Sequence, residues 1–123
     1  MSVLADFRAL VEAPGGPETP EALAEALAAA TRAHCNAAGL QSANIEPWGP
    51  TVTMLFSRTS AWEAVAFGPD DFQFYPGQTK ADGTIQWPSV WTADYFSLAS
   101  LIDAIAAKID EAARRLVTEG AGS

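Results

Sequence analysis

The stretch Thr51–Trp87, TVTMLFSRTSAWEAVAFGPDDFQFYPGQTKADGTIQW, holds most of the chain's aromatic residues and decides its fold. Four runs in it are rich in β-branched and aromatic residues: 51–57, 62–67, 72–75 and 84–87. Between them lie turn-forming segments, Arg58 to Ala61, Gly68 to Asp71 and Pro76 to Gly83. Strand runs separated by such segments read as an antiparallel meander of hairpins.

Closing each gap as a hairpin sets a register. Ser57 paired with Trp62 places Met54 opposite Val65 and Val52 opposite Phe67. Phe67 paired with Phe72 places Val65 opposite Phe74, and Tyr75 paired with Thr84 places Phe74 opposite Ile85 and Phe72 opposite Trp87. Directly opposed residues share a face and faces alternate along a strand. One face then collects Val52, Met54, Phe56, Val65, Phe67, Phe72, Phe74, Ile85 and Trp87, with Glu63 as its only charged member. The other carries Thr51, Thr53, Leu55, Trp62, Ala64, Ala66, Gln73 and Tyr75. On this register Val65→Asp should unfold the protein and Trp62→Ser should leave it folded, because only Val65 is on the face to be buried; a one-residue slip would exchange the faces.

Helices flank the meander. A short N-terminal helix, capped by Ser2 and ending near Glu12, places Leu4, Phe7 and Val11 on one side. The breaker cluster 13–17 ends it. A second helix, about residues 20–38, starts with Thr19 as cap and Pro20 in the first position, and stops at Gly39. Its apolar stripe reads Leu23, Ala26, Leu27, Ala30, His34 and Ala37. The last helix, about 97–118, has a long stripe from Leu98 through Ile105 to Leu116. Residues 43–46 fit an extra strand as well as a loop, with Pro47 and Pro50 restricting it to an edge. Pro88 to Thr92 reads as a turn carrying Trp91. The expected architecture is a single α+β domain, residues 1–123. It has two layers: a four-stranded antiparallel meander covered on one face by the two longer helices, plus the short N-terminal one.

Composition narrows the function. The 123 residues are 49% hydrophobic and 18% charged, as in globular proteins. The net charge of −8 argues against an ordinary nucleic-acid or anionic-membrane binder, which needs a basic face, and leaves a basic partner or plain solubility as readings. Residues 1–50 carry six acids and two bases, a net −4 that is half the total. Cys35 is the single cysteine, so no internal disulfide forms. With no recognisable signal sequence, this suits a cytoplasmic protein.

Little in the sequence points to chemistry. His34 and Cys35 are adjacent on a helix, where neighbours diverge, so they do not form a nucleophile pair and are expected to pack. Asp70, Asp71 and Asp82 fall at opposite ends of the meander and cannot share an ion. Gly77 to Lys80 lacks the second glycine of a phosphate loop, and no dinucleotide fingerprint or nucleophile elbow is present. No catalytic, cofactor-binding or metal-ligating residue is therefore assigned, and the chain is read as not an enzyme.

Aromatic side chains remain. Trp62 and Tyr75 are expected on the second sheet face with Leu55, and Trp48 and Trp91 in adjoining turns, which makes these five the candidate partner-binding residues. The expected function is that of a non-catalytic protein-binding module, possessing the profile of a small acidic inhibitor or adaptor, immunity-like or phage-encoded, that meets a basic surface. This is an analogy of class. Two alternatives stand beside it: a structural subunit that self-associates, as a homodimer or in a larger assembly, through the Trp62/Tyr75 face, and a small-ligand-binding domain.

Overall fold

A computed structural model describes residues 3–41, 43–88 and 94–121. In chain order the elements are α1 (Val3–Glu12), α2 (Pro20–Ala37), β1 (Asn44–Trp48), β2 (Thr51–Ser57), β3 (Ser60–Gly68), β4 (Asp71–Thr79), β5 (Ile85–Gln86), β6 (Tyr95–Phe96) and α3 (Leu98–Ala121). The fold is α+β, with an antiparallel sheet in the order β1-β2-β3-β4-β5 and β6 also paired to β4. Helices α2 and α3 pack on one face of the sheet, and α1 rests on both of them. No helix among the described residues is long and apolar enough to cross a membrane.

The helix ends follow from their sequences. The Thr19 hydroxyl accepts the Ala22 N–H at 3.2 Å, with Pro20 in the first turn. At the other end Gly39, at φ +89°, lets Leu40 N–H reach back to the Cys35 carbonyl at 2.8 Å. Leu4, Phe7 and Val11 are buried as α1's spacing requires. The Ser2 cap lies outside the described residues. The buried side of α2 is Leu23, Ala24, Leu27, Ala28, Thr31 and Cys35, so the helix is turned relative to the expected stripe: Ala37 is exposed and His34 half-buried.

Two strands join the expected four. Residues 44–48 do form a strand, β1, whose Pro47 is tolerated at the sheet edge. The β6 pair Tyr95–Phe96 lies beside Phe72 and Gln73, where the 84–87 run was expected. That run instead pairs as β5 with Gln78 and Thr79, because β4 continues through Pro76. Pro76 stands opposite Trp62, where β4 has a neighbour on one side only, so its missing N–H breaks no ladder.

The register of β3 also differs from expectation. The β2–β3 hairpin closes tightly with Ser57 opposite Ser60, and a bulge at Phe56 then sets Leu55 opposite Ala61 and Met54 opposite Trp62. The β3–β4 hairpin closes with Gly68 opposite Asp71, and a bulge at Phe67 sets Ala66 opposite Phe72. The two departures are each an odd number of residues. They cancel for β4 and invert β3 alone. Val52, Met54, Phe56, Phe72 and Phe74 face the helices as expected, but it is Ala64 and Ala66 that are buried among them. Small residues there let the alanine-rich α2 approach the sheet. Glu63, Val65 and Phe67 turn outward, which keeps the Glu63 carboxylate out of the core.

Trp62 is thus on the helix-covered face, opposite to Tyr75. Its ring stacks on Phe74 with centroids 4.7 Å apart and planes at 17°, and Lys108 of α3 places its ammonium 4.9 Å from the ring centre. A shared Trp62/Tyr75 patch does not exist.

Candidate functional site

The pairing of five strands builds, row by row, the sheet face that no described helix covers. One row reads Trp48–Thr51–Val65–Gln73–Tyr95 across β1, β2, β3, β4 and β6. The next reads Glu46–Thr53–Glu63–Tyr75, and the third Asn44–Leu55–Ala61–Gly77. These rows contain two carboxylates and no lysine or arginine.

The first row ends in an exposed aromatic at each side, Trp48 at 69% and Tyr95 at 67% of full exposure. Phe67, pushed outward by the bulge, is 46% exposed and lies against Tyr95 with ring centroids 5.7 Å apart. Beside the Phe67–Tyr95 pair lies a hollow of about 410 Å³ lined by Thr51, Glu63, Val65, Phe67, Gln73, Tyr75 and Tyr95.

At its floor the Tyr75 hydroxyl donates to Glu63 Oε1 at 2.6 Å, and the Thr53 hydroxyl lies 3.5 Å from Glu63 Oε2. Tyr75 is almost fully buried and packs near-perpendicular to Trp87, with ring centroids 6.2 Å apart. Burial, and then the bond and charge of Glu63, raise its phenol well above the ordinary tyrosine range. It therefore remains a hydrogen-bond donor and holds the carboxylate in place. Gln73, also buried, sits between Val65 and Tyr95.

The third row is partly roofed. A Cβ on Gly77 would lie 2.6 Å from Ile85 Cγ2 and 2.7 Å from Trp87 Cζ3, so the β5 segment folds onto this end of the face over the glycine. Beside it a second hollow of about 560 Å³ has Leu55, Ala61 and Ile85 in its lining, with Arg58 and Lys80. The outer face is therefore acidic and aromatic at one end and basic at the other.

Of the five residues expected to bind a partner, Tyr75, Leu55 and Trp48 occupy this face, Trp62 is under α3, and Trp91 lies outside the described residues. Phe67 and Tyr95 were missed. Phe67 was placed inward by the unbulged hairpin, and Tyr95 stands in a two-residue strand too short to leave a periodic signal. Glu63 was the available clue, since a carboxylate rarely belongs on the buried side of a strand.

His34 and Cys35 lie on α2, with the sheet between them and the hollow. Cys35 is buried, and burial pushes its thiol up to about 11, so it behaves as an apolar filler. Among the described residues no group of three or more His, Cys, Asp or Glu could hold a metal ion. Asp70 has a structural role: its carboxylate accepts the Leu98 N–H at 2.8 Å and ties the β3–β4 turn to the first turn of α3.

No family model, curated protein or solved structure matches the chain.

Proposed function

We propose that this chain is a non-catalytic protein-binding module, of the inhibitor or adaptor kind, that presents the outer face of its sheet to a partner with a basic contact surface. The observation that carries the proposal is the exposure of Trp48, Phe67 and Tyr95 on one sheet face whose strand rows also carry Glu46 and Glu63, with the bases Arg58 and Lys80 confined to the loops at its far end. Exposed aromatics dominate interface energetics, and here Phe67 and Tyr95 touch at one side of the face while Trp48 marks the other. Acidic groups among them favour a basic partner and make association weaken with salt. The raised Tyr75 phenol favours fixed hydrogen bonding over proton transfer in the hollow. A buried free thiol suits a reducing compartment such as the cytoplasm.

The test is photo-crosslinking from a benzophenone side chain at position 48, with the exposed helix position 29 as control. The expected result is a discrete protein adduct from 48 and none from 29. Equal adducts from both, or none from 48, would overturn the proposal. The opposed charge of the two ends of the face supports a second reading, self-association in antiparallel fashion as a structural subunit. An adduct containing two copies of this chain would select it.

A further inference from the structure

We infer that the hollow around Glu63 receives an arginine side chain of the partner. This rests on the protein-binding role proposed above and names the group that the face would recognise.

Three observations converge. The Glu63 carboxylate lines the hollow and is held by Tyr75 at 2.6 Å and approached by Thr53 at 3.5 Å, one partner on each oxygen. A carboxylate oxygen has two lone pairs, so both oxygens keep an acceptor site. Among the described residues no lysine or arginine forms a salt bridge with it. The walls are Phe67 and Tyr95, two rings in mutual contact at the rim, and the apolar side of Val65.

A carboxylate with both oxygens available beneath aromatic walls suits a guanidinium better than an ammonium. The planar fork bonds both oxygens at once and lies flat against a ring, while its stem packs on apolar surface. A hollow of about 410 Å³ admits the whole side chain with room for water. The carboxylate is also already oriented by its two hydroxyl neighbours, which lowers the ordering cost of binding.

The test uses the isotopically labelled full chain and NMR titration with the peptide acetyl-Gly-Ser-Arg-Ser-Gly-amide. Its counterpart with citrulline, which keeps the shape and lacks the charge, is the control. The expected result is a dissociation constant in the millimolar range, with amide shifts centred on Glu63, Val65, Gln73 and Tyr95. Citrulline should bind at least about tenfold more weakly, and Glu63→Gln should weaken the arginine peptide by a similar factor. The arginine–citrulline comparison is made on the unaltered protein, so it stands whether or not the variant folds. Equal binding of the two peptides, no binding, or shifts centred on the acids of α2 would overturn the inference. Capture from position 48 together with failure of the arginine peptide would retain the protein-binding role and remove arginine. Failure of capture removes that role independently.

Discussion

Exchanging the two apolar sets of β3 gives the fold its sharpest test, through Trp62→Ser and Val65→Asp. Trp62 is half-buried, stacked at 4.7 Å on Phe74 and covered by Lys108. Truncating a fully buried large aromatic costs about 3–5 kcal/mol, and the partial exposure of Trp62 reduces this to about 2–3. Loss of the ring stack and the cation contact adds about 1 kcal/mol. Against a domain stability of about 5–15 kcal/mol, a loss near 3 is a large fraction. With a urea slope of about 1–3 kcal/mol per molar, the midpoint should fall by about 1–3 M. Val65 is half-exposed on the outer face, so Val65→Asp loses mainly strand preference, about 1 kcal/mol or less. Urea unfolding followed by far-UV circular dichroism reads both variants without depending on tryptophan emission. If Val65→Asp unfolds the protein while Trp62→Ser leaves the midpoint unchanged, Val65 rather than Trp62 faces the helices and Glu63 does not lie on the outer face.

Other regions give independent expectations. Asp70→Ala should cost about 1–2 kcal/mol, because it removes an acceptor at the start of α3, and should speed hydrogen exchange at Leu98. Gly77→Ala should lift the β5 segment, whose Ile85 and Trp87 atoms occupy the space of the new Cβ, at a cost of about 1–3 kcal/mol and with faster exchange at Ile85. For Cys35 the sign follows from burial: an unfolded thiol titrates near its ordinary value of 9.0, whereas the folded one holds its proton to about 11. Stability from this group is intact below pH 9 and falls as pH rises through that window, by at most about 1.4 kcal/mol per pH unit. Cys35→Ala should flatten that alkaline decline in denaturation curves, and a fall that persists unchanged would assign it elsewhere.

The sequence showed the strands more clearly than their registers. In β2 and β4 one alternate set is plainly apolar, and Val52, Met54, Phe72 and Phe74 do face the helices. In β3 both alternate sets are largely apolar, Trp62, Ala64 and Ala66 against Val65 and Phe67, so hydrophobic pattern alone could not choose. The choice is made by two bulges, at Phe56 and Phe67, which leave no local signature, and by the carboxylate of Glu63. The α2 stripe was similarly ambiguous, because alanines on several sides supply little area to distinguish one from another. Capping was legible: Thr19, Pro20 and Gly39 do what their chemistry requires. At the site, Tyr75 and Leu55 were placed correctly on the second face, while the Tyr75–Glu63 bond depended on the corrected register.

The most direct test of the recognition face is the affinity of the partner captured from position 48, measured by calorimetry for wild type and for variants of two surfaces. On the outer face these are Trp48→Ala and Tyr95→Ala. On the helices they are Leu10→Ser and Val117→Ser, two exposed apolar residues that serve as controls. An outer-face interface predicts a loss of about thirtyfold for each of the first pair and little change for the second. The opposite pattern would contradict it.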